Sequence, residues 1–156
     1  MTSPGPAPPT RPSDAADGTL FDAIATEHAT IYGYGIVSAH SLPEINYLVA
    51  EAMAQQRARR EAAIAILDEA GVMAPLPEVG YSLPFEVDNA TDAANLAVTM
   101  EQDSAIAWRA VVEQSTDQRL RAFAVTALTD SAVMAARWRR VRGDTAITVA
   151  FPGGSE

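Results

Sequence analysis

The chain has 156 residues, 48% hydrophobic and 6% aromatic, and a net charge of −9; this fits one ordinary domain with a packed core. It contains no cysteine and no lysine, so all 11 basic residues are arginine, which excludes disulfides, thiolate metal sites, Schiff-base chemistry and a P-loop lysine. The acidic balance disfavours nucleic acid and anionic membranes as partners.

Residues 1–17, with prolines at 4, 6, 8, 9 and 12, read as a disordered, partly polyproline arm. They hold no apolar run of the kind a signal peptide needs, and no segment reaches the roughly 20 apolar residues of a membrane span. The cytoplasm is the expected location. The first helix is expected over about residues 20–40, where Leu20, Ile24, Ile31 and Tyr34 recur at three- and four-residue steps. The second opens on Ser41, Pro43 and Glu44, read as a capping box with proline in the first turn, and ends at Gly71. The third starts near Asp88, with Leu96, Met100, Ala107 and Val111 on one stripe. The fourth starts at Thr116 and Asp117 and carries Leu120, Phe123, Ala127, Met134 and Trp138. Its last turns hold Arg137, Arg139, Arg140 and Arg142, where positive charge suits the helix dipole. Residues 143–156 form a tail in which Ile147, Val149 and Phe151 alternate with smaller residues. Such a tail lies along a groove of its own domain or of a partner, or frays.

Connection lengths set the expected topology. Two or three residues join helices one and two, and helices three and four, so each pair is antiparallel. The linker over residues 72–87 reaches about 50 Å when extended, enough to run the length of a helix. The expectation is an all-α four-helix bundle over residues 18–142, two antiparallel hairpins joined by one long crossover between helices two and three. With 31 alanines, the helices can pack closely.

Several polar residues fall on or beside the apolar stripes. Glu27, Gln55, Glu101 and Asp130 each sit near mid-helix and are expected to meet at one level in the bundle centre. Burying three carboxylates together demands protons, a cation or an arginine partner. His28 follows Glu27, and Gln56, Arg57, Arg59 and Arg60 stand at the same level of helix two. Gly33 and Gly35 flank Tyr34, and each costs about 1 kcal/mol in a helix, which points to close approach of another helix.

The stretch from Glu27 to Gly35 (EHATIYGYG), the run from Gln56 to Arg60 (QRARR), Tyr81-Ser82-Leu83-Pro84 and Trp138-Arg139 together resemble the ferritin-like superfamily. Within it the likeness is greatest to an actinobacterial ferritin-like domain family of unknown function. The resemblance covers about residues 18–142 and implies the ferritin-like bundle. Ferritin-like metal sites use single glutamates from two helices and a Glu-x-x-His from each of the other two. Glu27 and Glu101 match the single glutamates, and neither Glu-x-x-His is present.

The first reading is therefore a non-catalytic structural or interaction protein, homodimeric, without a cofactor. In it Glu27, His28, Gln55, Gln56, Arg59, Arg60, Glu101 and Asp130 form a buried polar centre, neutralised by arginine. The second is a divergent metal-binding oxidase or metal-handling protein. Its divalent ion, Mn²⁺ or Mg²⁺ by the oxygen-rich donor set, would be held by Glu27, His28, Glu101 and Asp130. The third is a bundle that binds a small anionic ligand between its helices.

Overall fold

The structure is a computed structural model that describes residue 1 and residues 3–154. It has four long helices, α1 (Ala15–His40), α2 (Asn46–Glu69), α3 (Ala90–Gln114) and α4 (Gln118–Arg142), with a single 3₁₀ turn at Pro43–Ile45 before α2. No described residue lies in a strand. No helix of the described residues is long and apolar enough to cross a membrane.

Three of the four helix starts are capped by an acidic or amide side chain. Asp14 accepts from the Asp17 N–H, Asn89 from Asp92 and Asp117 from Leu120, each satisfying one of the free amides of a first turn. The α1 helix thus begins at Ala15, inside the stretch read as a disordered arm, and Arg11 ties that arm to Asp22 at 2.9 Å. The expected capping box at Ser41 and Glu44 is not formed. The Ser41 hydroxyl turns back and donates to the Val37 carbonyl at 2.7 Å, so Ser41 closes α1. The chain then enters α2 through the 3₁₀ turn, without a side-chain cap. Gly71 and Gly143 take the left-handed conformation, φ 74° and 91°, just beyond the ends of α2 and α4, where glycine has no Cβ penalty.

Bonds across the bundle define the helix directions. Glu27 of α1 meets Trp108 of α3, and Tyr34 meets Glu101, so α1 and α3 run in opposite senses. Gln56 of α2 also reaches Glu101, and Arg59 reaches Glu27, which makes α2 antiparallel to α1 and parallel to α3. The segment joining α2 to α3 runs along α1: Pro75 bonds to His28, and the Tyr81 ring packs at a tilt against Tyr32 with centroids 5.4 Å apart. Of the neighbouring helix pairs, α2 and α4 approach each other least.

The core has two apolar parts. One is built on Tyr34, Val37, Leu48, Leu96, Met134 and Trp138. The other is built on Leu20, Ile24, Leu67, Trp108 and Leu120. Buried alanines at 23, 52, 63, 93, 97, 124 and 127 let the backbones come close. The tail packs in cis on α3 and α4: Arg139 donates to the Ile147 carbonyl at 3.1 Å, and Gly153 lies against the Ala105 carbonyl. Residue 2 of the arm and residues 155–156 of the tail lie outside the described residues.

Candidate functional site

Between the two apolar parts lies a polar layer supplied by all four helices. In α2 the buried positions advance as Ala52, Gln56, Arg59 and Ala63, steps of four and three that keep one face inward. In α4 they advance as Ala124, Ala127, Ser131, Met134 and Trp138. The expected centre keeps Glu27, Gln56, Arg59 and Glu101 and is corrected at Gln55 and Asp130, and again at His28 and Arg60. Gln56 and Ser131 stand in the core, whereas Gln55 and Asp130 are half-buried residues on the walls of an outer groove between α2 and α4. Each inward position lies one residue further along its helix than the expected one, a rotation of about 100° that carries a side chain off the core stripe.

The network begins at Trp138. Its indole N–H donates to the Tyr34 hydroxyl at 3.0 Å, and Tyr34 donates to Glu101 Oε1 at 2.5 Å. The Gln56 amide Nε2 spans both Glu101 oxygens at 3.1 Å. Arg59 Nη1 reaches Ser131 Oγ at 3.0 Å, Glu27 Oε1 at 3.2 Å and Gln56 Oε1 at 3.4 Å. Trp108 donates to Glu27 Oε1 at 2.6 Å. Glu27, Tyr34, Ser131 and Trp108 have no solvent exposure, and Arg59 keeps 7%. Two oxygens of the layer, Glu27 Oε2 and Ser104 Oγ, make no hydrogen bond among the described residues.

Burial dominates the electrostatics. It pushes the Glu101 carboxyl up to about 7 against the opposing hydrogen bond from Tyr34 and the charge of Arg59. It raises Glu27 as well, opposed chiefly by Arg59 and the Trp108 N–H. The Tyr34 hydroxyl is held well above 10 by burial and by the Glu101 charge. With one guanidinium and two carboxyls, a proton on Glu101 leaves Arg59 and Glu27 as a matched pair. That is the least costly charge state for a dry site.

His28 and Arg60 stand outside this network. His28 Nε2–H donates to the Pro75 carbonyl at 2.9 Å, pinning the linker to α1, and burial lowers the affinity of its ring for a second proton. Arg60 is half-buried and pairs with Glu61. Glu27, His28, Glu101 and Asp130 are therefore not brought together as ligands. Among the described residues no three His, Asp or Glu side chains form a metal-ligating group. What was read as a donor set is two carboxyls joined by an amide and a guanidinium.

Tyr34, Trp108, Trp138, Ser104 and Ser131 belong to the layer without having been singled out for it. A signal for the tryptophans was present. A buried indole N–H requires an acceptor, and Trp108 lies seven residues after Glu101 on the same helix face.

Comparison with known proteins gives likenesses of two kinds, to a family and to solved structures. The model of a family described as a domain of unknown function, DUF4439, matches residues 19–156. The chain is also similar to the crystal structure of a conserved hypothetical protein, rv2844, from Mycobacterium tuberculosis. Identity is 57% and the TM-score 0.82, covering 83% of this chain and 98% of that one. No curated protein matches the chain.

Proposed function

Taking as premise that the chain belongs to the DUF4439 family, we propose that it is a ferritin-like bundle with arginine in place of a central metal. On this reading it is a non-catalytic structural or interaction protein, cytoplasmic and homodimeric. The observation that carries the reading is the pairing of Arg59 Nη1 with Glu27 Oε1 at 3.2 Å in the bundle core. Ferritin-like metal proteins gather inward glutamates around cations at this level. Here a covalently tethered cation meets the glutamate of α1, and an amide clasps the glutamate of α3. Antiparallel α1/α2 and α3/α4 pairs, the latter meeting at Trp108 with Phe123 and at Asn95 with Arg142, and parallel α2 and α3 support the ferritin-like assignment.

A layer in which four helices exchange hydrogen bonds serves to specify their register. Tyr34, Trp108, Trp138, Gln56 Nε2 and Arg59 Nη1 all donate to other core residues. The dimer reading is supported by the outer stripe of α4, where Val125 and Val133 are exposed, and by Val149 and Phe151 of the tail. Elemental analysis of protein purified without chelator tests the central claim. Substoichiometric metal is expected, and one bound transition metal per chain, lost on Glu27→Ala, overturns it.

A further inference from the structure

We propose that the groove between α2 and α4 is a binding site for a small zwitterion, with its carboxylate on the outer edge of Arg59 and its ammonium group on Asp130. Arg59 spends only Nη1 on the core; its Nε and Nη2 make no hydrogen bond among the described residues. The side chain keeps 6% of its surface open, and Arg59 lines a groove of about 300 Å³. A guanidinium presents a planar edge that matches a carboxylate through two parallel hydrogen bonds.

Asp130 borders the same groove from α4, half-buried, and takes part in no ion pair among the described residues. The two opposite charges thus face one cleft without meeting each other. A simple anion would satisfy Arg59 and be repelled by Asp130, and a simple cation would suffer the converse. A molecule carrying both charges satisfies both, and each charge on the cleft discriminates against a ligand that lacks its counterpart. Gln55 adds a polar group on the α2 side, while Phe123, Ala58 and Ala62 supply apolar wall. The cleft exists because α2 and α4 stand apart here and the α2 side offers only methyl groups at 58 and 62. Its volume lies at the small end of the range for ligand sites, which suits a ligand of amino-acid size. The proposal stands whether or not the bundle is metal-free, because it uses the face of Arg59 turned away from Glu27.

Calorimetric titration of the whole protein with glycine, L-serine and L-leucine tests it, alongside isocaproate and isoamylamine, the leucine analogues lacking the amino and the carboxyl group. At least one amino acid is expected to bind saturably at one site per chain, with the single-charge analogues weaker by about tenfold or more. Ala62→Trp, a change on the groove wall, should abolish binding. Asp130→Asn should weaken the amino acid about tenfold and strengthen isocaproate, whose carboxylate no longer meets a like charge. Arg59 is spared because its replacement would disturb the core. Absence of saturable binding by all three amino acids overturns the proposal. So does binding that survives Ala62→Trp in a protein with an unchanged melting curve, or isocaproate binding as tightly as leucine, which would mark an anion site only.

Discussion

At the scale of single residues, Glu101 and Arg59 make opposite demands on pH and on mutation. Burial holds the Glu101 carboxyl near 7, whereas an unfolded chain releases that proton near 4.5. Between those values the folded state keeps a proton that the unfolded state has lost, so stability falls as pH rises through the window. The contribution is complete below about pH 4.5 and gone above about pH 7. Its upper bound is about 3 kcal/mol. Urea unfolding should therefore show a more stable protein at pH 5 than at pH 8. Glu101→Gln should flatten that slope and leave stability at pH 8 equal or higher; an unchanged slope in the variant would assign the effect to other groups. Arg59→Met removes the guanidinium that pairs with Glu27 and strands a buried carboxylate. Breaking one side of a buried pair costs about 3–5 kcal/mol. The pairing predicts that Glu27→Gln with Arg59→Met recovers part of that loss, as a double-mutant cycle would register. Additive losses would remove the claim that the two side chains act as a unit.

At the scale of elements, two of the three glycines of α1, Gly33 and Gly35, have opposite consequences. A Cβ on Gly33 would collide with Met100 Sδ of α3, whereas a Cβ on Gly35 would meet nothing within 4 Å. Gly35→Ala should therefore stabilise by about 0.5–1 kcal/mol through helix propensity alone. Gly33→Ala must displace Met100 and should cost about 1–3 kcal/mol. Trimming Met100 to alanine in the same chain should relieve that clash, and thermal melts of the four variants separate the two glycines. The sequence pattern showed that a glycine beside Tyr34 serves close approach, but could not show which one, because the two lie about 100° to either side of Tyr34. The same ambiguity accounts for the misplaced centre. The period of the apolar stripe tolerates steps of three or four, so Ala52 points equally to Gln55 and to Gln56, and only the neighbouring helices decide between them. Helix number, approximate ends and the inward glutamates, by contrast, were legible, because they rest on caps, glycines and apolar residues repeated over six or seven turns. Ser41 escaped because a serine next to a helix end can cap the following helix or close the preceding one, and both use the same atoms.

At the scale of the whole molecule, the surface and the interior divide the arginines differently. Six of the 11 lie on α4. Arg139 is buried against the tail, while Arg137 pairs with Glu51 across to α2. Beside them runs an exposed apolar stripe, with Val133 on α4 and Val149 on the tail lining a shallow depression of about 410 Å³. This apolar surface is lined by Arg137 and Arg140 and by no carboxylate, so a second copy of a chain of charge −9 can dock there without burying an acidic group. Light scattering at tens of micromolar should report a dimer. Its population should grow with ionic strength, because screening weakens the repulsion between two acidic chains over a Debye length of about 10 Å at 0.1 M. Val133→Glu places a charge in the middle of the stripe at a residue that is already half exposed. It should dissociate the dimer while leaving the monomer's melting temperature within a few degrees, since the substitution touches no core contact. Gly153→Ala acts on the tail instead: the left-handed φ of 77° and the Ala105 carbonyl 2.7 Å from the added Cβ both oppose it. Release of the tail should carry Val149 off the stripe and weaken the dimer in turn. A wild-type monomer at every salt concentration would remove the dimer. A dimer indifferent to both substitutions would move the interface to another face, with the outer surfaces of α1 and α2 the remaining long helical faces.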